Sequence, residues 1–129
     1  AFINNRIVSG INSANILFNA LKKISKKDTV VFSMQSNFFP AILSFILGIK
    51  VIVRVSEDPC GATKYADNKS FAVVVLFTKF ITYNLASKII TNAKKSQECV
   101  KKFVFNKSKV ELLYNPTLKK ILKKNNYRN

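Results

Sequence analysis

Apolar residues follow two alternating rhythms along this chain. Between residues 11 and 24 they recur at Ile11, Ala14, Leu17, Phe18, Leu21 and Ile24, the spacing of one helix face, with lysines closing the last turn. Asp28 then precedes Thr29, Val30, Val31 and Phe32, a β-branched and aromatic run that predicts a buried strand over 29–33. Asn37 and Pro40 open a second helix and Gly48 stops it. KVIVRV (50–55) is the clearest strand, too continuously apolar for one exposed on a single face. A polar loop over 56–69, with Pro59 and Gly61, leads to a helix over 71–85. A strand over 88–91 and a helix over 94–105, burying Cys99, Val100, Phe103 and Val104, come next. The last strand, 110–114, ends at Asn115-Pro116, where proline blocks continuation.

Helix and strand thus alternate four times. Such alternation with continuous apolar strands predicts an α/β fold: a Rossmann-like parallel sheet with helices on both faces. Ligands of open parallel sheets gather beyond the C-terminal ends of the strands. The loops that matter are then 33–37, 56–69, 92–95 and 115–117.

Composition narrows the function classes. Hydrophobic residues make up 48% of the 129, so the chain folds despite a net charge of +16. Arginine occurs only at Arg6, Arg54 and Arg128; the other basic residues are lysines, spread as doublets over several helices. Nucleic-acid readers favour the rigid arginine fork and gather charge on one face, so nucleic acid is not the expected partner. Composition and solubility account for the lysines first, and an anionic membrane surface is the next reading. No run suits a transmembrane helix: 38–47 is too short, and Lys79 with Thr78, Thr82 and Asn84 dilutes 71–86, which fits a buried or membrane-surface helix.

Histidine is absent, which removes the commonest general base and zinc ligand and any triad built on it. Neither a GxGxxG nor a P-loop is present. Cys60 and Cys99 make neither a metal site nor a framework; with no signal peptide in view they are expected to be reduced cytosolic thiols.

Candidate chemistry concentrates where 50–55 ends. Arg54 is the one arginine inside an apolar strand, and Ser56, Glu57 and Asp58 follow it; Asp67 lies further along the same loop. Arg54 has two readings: an ion pair with Glu57 or Asp58 that orders the loop, or a guanidinium facing a cleft, where it would bind hydroxyls or phosphate. Asn92, Lys94 and Lys95 stand at a strand-to-helix junction. There Asn92 is expected to be the helix N-cap, and an anion held by the helix start is the other reading.

These residues also carry a resemblance. VIVRVSEDP (51–59) with GATKYADNK (61–69), ASKIITNAKKSQECVKKF (86–103) and KVELLYNP (109–116) resemble, in collinear order, the N-terminal domain of family 4 glycosyltransferases of the GT-B class. The resemblance implies two Rossmann-like domains facing across a cleft, with the N-terminal one binding the acceptor and the C-terminal one the nucleotide-sugar. Residues 1–117 would be part of the acceptor-side domain and 118–129 the start of an interdomain linker or tail.

On this resemblance Arg54, Ser56, Glu57, Asp58, Asn92, Lys95 and Asn115 are the acceptor or cleft candidates, with no metal ligand among them. The family's glycine-rich loop would lie before Ala1 and its paired glutamates, E-x7-E, after Asn129. The histidine that many members carry near the strand end is missing. The segment alone is therefore expected to hold no cofactor and to be inactive. The whole enzyme would use a nucleotide-sugar donor and a glycan or lipid-linked acceptor in cell-envelope polysaccharide synthesis, in the cytoplasm or peripheral to the inner face of the membrane. The alternative is a non-catalytic basic α/β module at the membrane surface.

Overall fold

A computed structural model describes residues 2–34, 37–64 and 69–114. Asp67, Asn115 and the stretch 118–129 lie outside the described residues. The elements run α1 (Phe2–Lys22), β1 (Val30–Ser33), α2 (Phe38–Leu47), β2 (Lys50–Val55), α3 (Pro59–Lys64), α4 (Lys69–Leu85), β3 (Lys88–Thr91), α5 (Lys94–Phe103), a single 3-10 turn (Lys107–Lys109) and β4 (Val110–Leu112). Only α3 and the 3-10 turn were not expected from the pattern. α5 stops at Phe103 because Val104 is extended and buried.

The four strands form one parallel sheet in the order β1-β2-β3-β4. Val53 stands beside Ser33 on one side and Ile89 on the other, and Ile89 beside Val110. The α/β class and parallel pairing are those expected from the sequence.

The two faces of the sheet are unequally covered. Val51, Val53, Val55, Ile89 and Val110 point to one face, where Tyr83 and Ala86 from the end of α4 and Val100 of α5 bury them. Leu43 and Leu47 of α2 extend that layer and receive Leu17, Phe18 and Leu21 of α1. By the strand pleat, Val30, Phe32, Ile52, Arg54 and Ile90 point to the other face. There Val30 and Phe32 are 53% and 52% exposed, and Lys88 pairs across the surface with Glu111 at 2.7 Å. The cause is topological. Crossovers of one hand that all step in the same direction place their helices on the same side.

Two local devices set the frame. Gly48 ends α2 at φ 68°, donating its N–H to the Phe45 carbonyl while Ile49 donates to that of Ser44. That is the Schellman arrangement, and it turns the chain directly into β2. Asn84 closes α4: its Nδ2 donates to the carbonyls of Phe80 (2.9 Å) and Phe103 (2.8 Å), and its Oδ1 accepts from the Phe105 N–H (3.0 Å). Lys109 adds its ammonium to the Asn84 and Ala86 carbonyls at 2.9 and 3.0 Å, the place where a helix end attracts a cation. Burial there lowers the Lys109 pKa.

The cysteines correct a sequence expectation. Cys60 and Cys99 are not separate thiols but are bonded to each other, 39 residues apart in sequence and 6.0 Å apart at Cα. The helical turn of α3, which the polar composition of 56–69 concealed, carries Cys60 onto the buried side of α5. No helix among the described residues is long and apolar enough to cross a membrane.

Candidate functional site

The sheet presents the C-terminal ends of β1, β2 and β3 on one edge, and polar side chains fasten those ends together. Asn37 bridges the first two: the Ser33 hydroxyl donates to its Oδ1 at 2.6 Å, and its Nδ2 donates to the Arg54 carbonyl at 3.2 Å. It stands just ahead of α2 as expected but makes no side-chain cap. Asn92 joins β3 to β2 by donating to the Ser56 carbonyl at 3.4 Å. It is not the N-cap of α5, a position taken by Ala93. Both asparagines are spent on holding strand ends rather than helix ends.

The three residues after β2 are each tied to a different element. Ser56 is held by Asn92, Glu57 pairs with Lys79 of α4 at 3.0 Å, and Asp58 pairs with Lys95 of α5 at 3.0 Å. Asp58 also starts α3, its Oδ1 accepting from the Cys60 N–H at 3.1 Å. The hydrogen bond from Lys95, helped by the Gly61 N–H, holds the Asp58 carboxyl below the usual carboxylate range. A Cβ at Gly61 would stand 2.9 Å from an Asp58 carboxylate oxygen, so a larger residue there requires that carboxylate to shift. Glu57 and Asp58 therefore make their ion pairs with lysines. The sequence reading that paired Arg54 with one of them is not what the fold does.

Arg54, Ser56 and Glu57 instead line a cavity of about 320 Å³, together with Met34, Asn37 and Tyr83. A second cavity of about 300 Å³ shares Asn37, Glu57 and Tyr83 and runs between α2 and α4, past Phe38, Phe39 and Lys79. Together they make a cleft that is polar at the sheet edge and more aromatic toward the helices, within the size range of small-ligand sites. An arginine, a serine and a glutamate lining one cavity are residue types that hold polyhydroxylated or phosphorylated molecules by charge-assisted hydrogen bonds.

Of the expected site residues, the fold thus brings Arg54, Ser56 and Glu57 into the cleft. It sets Asp58, Asn92 and Lys95 behind as the ties of the loop, and Asn115 lies outside the described residues. Sequence reasoning missed Asn37, Lys79 and Tyr83. Position just after β1 was the one available signal for Asn37; nothing local marked the other two.

Tyr83 is 3% exposed, and burial pushes its phenol well above the ordinary tyrosine range, with the Glu57 charge adding to the effect. A phenol with a raised folded pKa leaves stability untouched while both states are neutral. Stability is lost once pH exceeds the unfolded value of 10.0, where only the unfolded chain ionises. Relative to Tyr83→Phe, the wild type should lose up to about 1.4 kcal/mol per pH unit above about pH 10 in urea titrations. A difference between the two that stays flat through that range contradicts the burial.

No family model, curated protein or solved structure matches this chain.

Proposed function

We propose that this chain is the acceptor-side part of a GT-B glycosyltransferase resembling family 4. The observation that carries the reading is the cleft at the C-terminal edge of the parallel sheet, where Arg54, Ser56 and Glu57 converge. That is the edge at which open α/β sheets take their ligands. On this reading the Arg54 guanidinium holds an acceptor hydroxyl or phosphate, Ser56 and Glu57 hydrogen-bond further hydroxyls, and Lys79 keeps Glu57 in place. The nucleotide-sugar is bound by a second domain. The thinly covered face of the sheet supports the same reading, because a doubly wound domain lays a further helical layer over such a face. Label transfer from a nucleotide-sugar by the complete gene product is the test.

A second reading, a basic module at an anionic membrane surface, rests on α4. Phe71, Val73 and Phe77 are 65%, 65% and 62% exposed on a chain of net charge +16. Lysines near an anionic leaflet contribute about 1 kcal/mol each. Pelleting with anionic vesicles that weakens with salt supports this reading, and equal pelleting with neutral and anionic vesicles ends it. A membrane-bound acceptor would make the two readings compatible.

A further inference from the structure

The disulfide stands beside a third group that can bind metal. The Cys60 and Cys99 sulfurs and a carboxylate oxygen of Asp58 all lie within 4.8 Å of one another. Two elements of the fold bring them there. Asp58 starts α3, Cys60 sits in its first turn, and Cys99 is buried at 4% exposure on α5. None of the three residues lines the cleft.

We propose that, with the disulfide reduced, Cys60, Cys99 and Asp58 form a three-ligand site for a thiophilic divalent cation such as zinc. The sequence reading, which expected no metal, treated the cysteines as unrelated thiols. The fold makes them neighbours. Two thiolates and one carboxylate are a donor set zinc accepts, and they leave its fourth tetrahedral position for water or a ligand. Oxygen-preferring cations such as magnesium are disfavoured by the two sulfurs. Asp58 can take the third position without giving up its present partners. Its oxygens accept from the Cys60 and Gly61 N–H groups and meet Lys95, three contacts, whereas an ionised carboxylate offers about four lone-pair sites.

The chemistry balances in two steps. A low-molecular-weight dithiol gives two electrons and two protons to the Cys60–Cys99 bond and leaves as its own disulfide. The cation then displaces the two thiol protons and forms two metal–sulfur bonds. The loop carrying Ser56, Glu57 and Asp58 is fastened to α5 in either state, by a sulfur–sulfur bond or by a shared ion. This inference is independent of the glycosyltransferase reading.

Cobalt is a suitable probe, because thiolate ligation gives it an intense charge-transfer band. The reduced, desalted chain should bind one equivalent of Co²⁺ with that band, release about two protons, and lose the band on adding one equivalent of Zn²⁺. Cys60→Ser and Cys99→Ser should abolish the band, and Asp58→Asn should weaken binding at least about tenfold. Because these variants disturb the junction of α3 and α5, the oxidised wild-type chain is the decisive control: same sequence, no band. A reduced chain without the band, or an oxidised chain that binds cobalt equally well, overturns the proposal.

Discussion

On the glycosyltransferase reading, Arg54→Lys is expected to lower kcat/KM by about 10- to 100-fold, more than any accompanying fall in melting temperature accounts for. The magnitude is that of a charge-assisted hydrogen-bond pair, about 1.5 to 3 kcal/mol, because lysine keeps the charge but not the planar fork. The direction follows from the site. Glu57 and Asp58 make their ion pairs with Lys79 and Lys95, so holding those two carboxylates is not the task of Arg54. Arg54 is among the residues lining the cleft, and its carbonyl anchors Asn37 through the backbone, a contact the substitution leaves intact. Steady-state kinetics beside thermal unfolding separates the outcomes. Loss of activity with a parallel loss of stability would make Arg54 structural, and retention of both would remove it from the site.

Asn84→Ala should be the most damaging single polar substitution outside the cleft. Asn84 satisfies two carbonyls and one N–H at the meeting of α4 with the end of α5. Alanine leaves partly buried backbone groups unpaired and frees the segment that sets Phe105 edge-on against Phe80 at 5.4 Å. The expected loss is about 2 to 3 kcal/mol, a fall in melting temperature on the order of 10 °C or more. Asn106→Ala is the matched control, since among the described residues Asn106 bonds Ser108 alone, on the exposed surface. A few tenths of a kcal/mol are expected there. Equal effects of the two substitutions would show that Asn84 does not hold the junction.

The strands were legible because their signal is local. The β-branched run of KVIVRV and the apolar pair Ile89-Ile90 leave little choice of conformation, and Gly48 marks its own turn. α3 was not legible, because its six residues include Pro59 and Gly61 and its start depends on the Asp58 side chain. The unequal faces of the sheet were hidden for a different reason. Continuous apolar strands record that both faces are apolar, whereas the strand order decides where the crossover helices lie. At the site, Arg54, Ser56 and Glu57 could be located from the strand end alone. Their neighbours Lys79 and Tyr83 come from α4, more than twenty residues on, and the lysine partners of Glu57 and Asp58 are products of tertiary packing. The Cys60–Cys99 pair is of the same kind: a spacing of 39 residues carries no information until α3 and α5 meet.

Sugar transfer itself is the most direct test of the central claim. The complete protein that the glycosyltransferase reading calls for should be given a radiolabelled nucleotide-sugar together with lipid-linked and polysaccharide acceptors, with residues 1–129 alone run in parallel. Label is expected in the acceptor fraction with the complete protein and none with residues 1–129 alone. Absence of transfer to every acceptor by a folded complete protein, or transfer by residues 1–129 alone, would contradict the claim.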